Sequence, residues 1–149
     1  MVGYWNAPEA TAKTLVDGWL RTGDLARIDD EGYVYIVDRA KDMLISGGLN
    51  VYPAEIELVL AALEGVAECA VIGVPDRKWG ETPLALLRAM PGATLNRDEV
   101  LAACRARLAD YKLPRHIVIR DEPLPRGMSG KVLKRQLRDE YASFGSSAG

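Results

Sequence analysis

The chain has 149 residues, 48% of them apolar, which suits one domain, or a small domain carrying a piece of another, with enough apolar surface to bury a core. Its 19 basic residues against 21 acidic ones leave a formal net charge of -2, so no global field favours nucleic acid or an anionic membrane, and any anion site must be local. No apolar stretch approaches the length that spans a bilayer, and the N-terminal MVGYWNAPEA lacks the basic and apolar regions of a signal peptide, so a cytoplasmic location is the default expectation.

In chain order, Asn6, Pro8 and Glu9 offer a cap, a first-turn proline and a first-turn acid, which predict a short helix over about residues 7 to 14. Gly18 to Leu25 reads as a Gly-flanked loop bearing Asp24. Ala26 to Ile28 and Tyr33 to Val37 flank the turn formers Asp29-Asp30-Glu31-Gly32, so a β-hairpin is predicted. Asp38-Arg39-Ala40-Lys41-Asp42 then separates this apolar run from a second one at Met43 to Ile45, and Gly47-Gly48 closes the stretch. A charged connector between two β-prone runs is a place where domain identity can change; considered alone, it reads first as a solvated connector inside one domain.

Pro53 opens a helix in which Ile56, Val59, Leu60 and Leu63 share one face. Val66 to Val74 is nearly all apolar and reads as a strand buried on both faces; Pro83 to Met90 is a second strand beside it. Asn96 and Glu99 open a helix to about Ala109, Arg115 to Arg120 is a third strand, Asp121 to Gly130 is a loop, and Lys131 to Ala142 is a final helix. The expected fold class is α+β: a small antiparallel or mixed three-stranded sheet with packed helices, preceded by a β-hairpin. Residues 143–149 are expected to be a disordered tail. Cys69 and Cys104 lie in apolar surroundings and outside any CxxC, so both read as reduced, buried thiols without chemistry.

Pro125-Arg126-Gly127-Met128-Ser129-Gly130-Lys131 is the sharpest chemical candidate. Glycines and a serine let backbone N–H groups approach an anion, and Lys131 can set a mobile positive charge on it. It is not a Walker A loop, because Pro125 stands where that pattern needs Gly and Val132 where it needs Ser or Thr. Asp24 could accept two hydrogen bonds from the vicinal hydroxyls of a ribose, against the plainer role of a turn aspartate. Arg39 is a second possible nucleotide contact, or the partner of a neighbouring acid such as Asp38 or Asp42. Trp5, Trp19 and Trp79 read as core or interface aromatics, and His116 as a packed strand residue. Lys131, Lys134, Arg135 and Arg138 form a basic helix face that is expected to be solvated.

The ordered set GYWNAPEAT, DGWLRTGDL, DRAKDMLISGGLNVYPAEIE, VPDRKWGE, YKLPR and PRGMSGKVLKR resembles the C-terminal part of the adenylate-forming enzymes: acyl-CoA synthetases, firefly luciferase and the adenylation domains of peptide synthetases. The resemblance runs to about Tyr141. It implies an ATP-dependent ligase reaction, in which a carboxylic acid and ATP give an acyl-adenylate and a thiol then displaces AMP. By the resemblance Asp24 binds the ATP ribose and Arg39 assists it, Lys41 is the hinge of a rotating domain, Gly47 and Gly48 line the CoA tunnel, and Lys131 is the adenylation lysine. SGGLNVYPAEIE is more similar to fatty-acyl and aryl-CoA ligases than to peptide-synthetase domains, which makes CoA the expected thiol. Asp38 departs from the glycine more common before this arginine. The implied organisation is 1–40, the end of a large N-terminal adenylation domain; 41–142, a mobile C-terminal domain; and the tail. The phosphate loop, adenine segment and acyl pocket belong to the large domain, so that domain is the expected partner, and this polypeptide is expected to be inactive alone. Mg2+ is expected for the whole enzyme but not as a ligand of this chain, and no metal site or nucleic-acid partner is expected. A stand-alone binding or regulatory module that docks on a separate large-domain partner is the rival reading.

Overall fold

In the computed structural model residues 1–144 are described, and the chain divides into two units at Lys41/Asp42. The first unit opens with helix α1 (Pro8–Thr14). Asn6 does not cap it: its backbone has φ 49° and Ala7 takes the cap position without a side-chain bond. Thr11 ties the turn instead, its Oγ1 accepting from the Tyr4 N–H and donating to the Ala7 carbonyl, both at 2.9 Å. Strands β1 (Leu15–Val16) and β2 (Trp19–Leu20) form a minimal hairpin around Asp17-Gly18, both at positive φ, a dipeptide suited to that tight turn. The predicted second hairpin is β3 (Asp24–Ile28) against β4 (Val34–Arg39), antiparallel. Asp29 shapes its turn by accepting from the N–H groups of Glu31 and Tyr33. Much of this unit's apolar surface is in the open, with Trp5 98%, Trp19 79% and Ile36 65% exposed, so the first two tryptophans are not core residues within it.

The second unit contains β5 (Leu44–Ser46), β6 (Leu49–Val51), α2 (Pro53–Ala61), β7 (Val66–Asp76), β8 (Gly80–Ala89), α3 (Arg97–Arg105), β9 (His116–Arg120) and α4 (Lys134–Glu140). β7 and β8 pair antiparallel along their length, and β9 lies parallel on the other side of β8. The three expected strands are therefore the body of a mixed sheet. The hairpin β5–β6 joins it through Ser46 and Gly80, giving five strands among the described residues. These two strands are three residues each, too short for alternation to announce them.

Period-two alternation along β7 and β8 divides their side chains between two cores. Val66, Val71, Ala85 and Leu87 face α2 and α3, meeting Ile56, Leu60, Val100 and Cys104. Ala70, Ile72, Val74, Leu84 and Leu86 face Leu124 and Leu137, the latter on α4. This is why the strands read as continuous apolar runs: helices cover both faces of the sheet. Asn96 caps α3, its Oδ1 accepting from the Asp98 N–H at 2.8 Å. Helix α4 begins at Lys134 rather than Lys131, because residues 131–133 stay extended: Val132 bridges Arg126 across the preceding loop. Of the expected tail, residues 145–149 lie outside the described part; Phe144 packs edge-on to the rings of His116 and Tyr141. Among the described residues no helix is long and apolar enough to cross a membrane.

Candidate functional site

In the first unit, pairing of β3 with β4 sets Asp24 opposite Arg39 in register. The guanidinium Nε lies 2.8 Å from the Asp24 carboxylate, with side-chain exposures of 47% for the arginine and 26% for the aspartate. Arg39 also reaches the Thr22 carbonyl, and Thr22 Oγ1 accepts from the Asp24 N–H. The two residues singled out as nucleotide contacts thus form one open acid–base pair. Of the two neighbouring acids, Asp38 accepts from the Arg39 backbone N–H, and Asp42 is paired with Arg138 at 2.6 Å.

In the second unit Lys131 is exposed at the end of a tight loop. Gly127 donates to the Lys131 carbonyl at 2.9 Å, Gly130 donates to Gly127, and Leu133 donates to the Pro125 carbonyl. Gly130 has φ +76°, a conformation that favours glycine. The basic face of α4 is less solvated than its sequence suggests. Lys134 pairs with Glu57 at 2.8 Å and Arg138 with Asp42, so two of its cations fasten the helix to other elements.

Gly47 and Gly48 form the two-residue turn of β5–β6, both at positive φ, as a tight hairpin of that length requires. Trp79, read as packing, lies directly on this turn. A Cβ on Gly47 would come within 2.6 Å of its ring, and the Gly47 N–H donates to the Trp79 carbonyl at 2.9 Å. Lys78 and Arg115 each place a cation 4.8 Å from the ring centre. Asp76 shapes the connection by accepting from the Lys78 and Trp79 N–H groups at 2.8 Å, and these backbone bonds hold its carboxyl below the usual carboxylate range. The packing of the Trp79 ring on Gly47 is not legible in sequence because the two residues are far apart and share no periodicity.

The two loops are anchored near opposite ends of β7. Glu68, which anchors the Lys131 loop, and Asp76, which shapes the Trp79 turn, are separated by about 26 Å at a strand rise of about 3.3 Å per residue. Arg126, Arg88 and the Leu124 N–H converge on Glu68, and chiefly the Arg126 hydrogen bond holds its carboxyl below the ordinary glutamate range. Neither cysteine is an activated thiol. Cys69 is pushed up to about 11, first by burial and then by the Glu57 charge, and burial raises Cys104. Among the described residues no cluster of three His, Cys, Asp or Glu side chains could hold a metal ion.

An α+β sheet layer with an exposed lysine loop at one end and a glycine turn at the other is the arrangement that the comparisons with known proteins bring into focus. Residues 55–131, more than half of the chain, match the model of the AMP-binding enzyme C-terminal domain, and the chain belongs to that family. It is 58% identical over 141 residues to the 3-[(3aS,4S,7aS)-7a-methyl-1,5-dioxo-octahydro-1H-inden-4-yl]propanoyl:CoA ligase of Rhodococcus jostii, covering 94% of this chain and 27% of that one. It is 51% identical over 140 residues to the long-chain-fatty-acid–CoA ligase FadD13 of Mycobacterium tuberculosis, again 94% of this chain and 27% of the relative. Among solved structures, ATP-bound MatB from Rhodopseudomonas palustris superposes with a TM-score of 0.87 at 44% identity, covering 96% of this chain and 28% of MatB. The chain therefore spans little more than a quarter of the length of the relatives it matches.

Proposed function

We propose that the chain is the C-terminal portion of an ATP-dependent acyl-CoA ligase acting on a fatty or aryl carboxylic acid in the cytoplasm. The observation that carries the reading is the pair of candidate ligand-facing loops at opposite ends of one rigid sheet, in a chain whose relatives are CoA ligases. Two half-reactions need two different sets of groups beside the same substrate. A domain that pivots about Lys41 can present first one end of its sheet and then the other.

In the first half-reaction a carboxylate oxygen attacks the α-phosphorus of ATP, forming the acyl–phosphate bond as the bond to pyrophosphate breaks. The Lys131 ammonium stabilises the charge that gathers on those oxygens. Asp24 accepts from the ribose hydroxyls while Arg39 holds its carboxylate in place; the 2.8 Å pair keeps that acceptor oriented. In the second half-reaction the CoA sulfur attacks the acyl carbon and AMP leaves. Gly47 and Gly48 would let the thiol arm run close to the backbone, beside the Trp79 ring. Mg2+ accompanies ATP in this reading, and its ligands lie elsewhere in the enzyme. Residues 1–40 would be the end of a large adenylation domain, residues 41–142 the domain that moves, and the exposed Trp5, Trp19 and Ile36 part of the surface that meets the large domain.

Lys131→Ala in the full-length ligase is expected to slow acyl-adenylate formation by about 100-fold or more while sparing thioester formation from supplied acyl-adenylate and CoA. Equal loss in both half-reactions would count against the role. The purified 149-residue chain is expected to form no acyl-CoA at all.

A further inference from the structure

Glu68 is a charged residue in a strand whose neighbours are apolar, and its side chain is only 12% exposed. Three groups converge on it. Arg88 Nη1 donates at 3.1 Å and the Leu124 N–H at 3.2 Å, both to Oε2. Arg126 donates to Oε1 from Nε at 3.1 Å and from Nη2 at 2.7 Å. The remaining face of the Arg126 guanidinium is not idle: Nη1 donates at 2.7 Å to the carbonyl of Gly130, the residue joined to Lys131 by the next peptide bond. On the other side of the lysine, its own carbonyl accepts from Gly127. The backbone of Lys131 is thus clamped before and after the residue, and the clamp runs through one planar fork to a carboxylate built into the sheet.

An ion pair with one partner half exposed adds little to stability, which does not account for a nearly enclosed acid with four donated hydrogen bonds. What the arrangement does supply is rigidity at the lysine. A loop with two glycines, one of them at positive φ, has backbone freedom that must be removed if an ammonium group is to meet a reacting phosphate within a fraction of an ångström. Lysine cannot replace the arginine here, since the fork has to span a carboxylate and a carbonyl at once.

We propose that Glu68 and Arg126 are positioning residues for Lys131, fixing the 126–131 loop so that the ammonium meets the reacting oxygens during adenylation. The inference rests on the assignment of Lys131 as the adenylation lysine. It is tested in the full-length ligase with E68Q, R126A, R126K and K131A, and with the double variant E68Q/K131A. Acyl-adenylate formation and thioester formation from supplied acyl-adenylate are measured separately.

E68Q and R126A are expected to lower kcat for adenylation by about 10- to 100-fold, with KM for ATP unchanged and the thioester half-reaction intact. R126K should recover little. In the K131A background E68Q should cost nothing further, because the residue it positions is gone. Adenylation at the parent rate in E68Q and R126A, with K131A crippled, overturns the positioning role and leaves the lysine assignment standing. Equal loss in both half-reactions, or a further loss from E68Q on top of K131A, assigns the pair to general structure and also overturns it. Full adenylation by K131A itself overturns the lysine assignment, and the positioning role with it. Should E68Q fold poorly, R126A carries the test, since Arg126 is 47% exposed and its loss leaves no large cavity.

Discussion

Gly47 shows how much a single residue can be asked to do. Its φ of +58° is costly for any residue with a Cβ, and the space such an atom would occupy is already filled by the Trp79 ring at 2.6 Å. Gly48 has the same backbone handedness, φ +83°, but nothing within 4 Å. The two substitutions to alanine therefore separate backbone strain from ring displacement. Gly48→Ala should cost about 1–2 kcal/mol in denaturant unfolding and leave the ring where it is. Gly47→Ala should cost more and shift the emission of the half-buried Trp79, whose setting differs from that of the exposed Trp5 and Trp19. Equal costs and unchanged emission would mean that the ring does not rest on the turn.

At the scale of elements, α4 is the instructive case. It has seven residues, too few to stand as an isolated helix, and Leu137 is its fully buried side chain. Two ion pairs fasten it, Lys134 to Glu57 and Arg138 to Asp42, and the second ties the helix to the residue that follows the expected hinge. Leu137 packs in the core shared with Ile72, Leu84 and Leu86. Leu137→Ala should lower unfolding free energy by about 2–5 kcal/mol, whereas Arg138→Ala, which removes a half-exposed cation, should cost far less in the same urea titration. The reverse ranking would show that the helix is held by charge rather than by packing. The four-residue spacing of Leu133, Leu137 and Tyr141 made the helix legible in sequence. Its late start was not legible, because residues 131–133 are held extended by a bridge to Arg126 that no local pattern encodes.

Across the whole molecule, Glu68 links β7, β8 and the loop after β9 through Arg88, Leu124 and Arg126, and this has a pH signature. Its carboxyl is held below the ordinary glutamate value, first by the Arg126 hydrogen bond. The stability it contributes is therefore fully present above the ordinary pKa and is lost as pH falls through the lower folded-state value. Glu68→Gln should be less stable than the parent at neutral pH, and the gap between their urea midpoints should narrow as pH falls below the ordinary glutamate pKa of about 4.3. A gap unchanged into strong acid would mean that the ionised carboxylate contributes nothing.

The sequence by itself determined the family, the α+β class, the longer elements in their order, and the residue types at the candidate site. Those features are written locally: apolar periodicity of two or near 3.6, turn formers at fixed offsets, and short motifs that remain recognisable in one dimension. Only the tertiary structure decided which distant residues meet. Asp24 finds Arg39 through strand register, Gly47 lies under Trp79, and Glu68 grips Arg126 across 58 residues of sequence. The physical reason is that these partners are brought together by strand pairing and by packing between distant segments, and such a contact leaves no period in the chain for a reader to find.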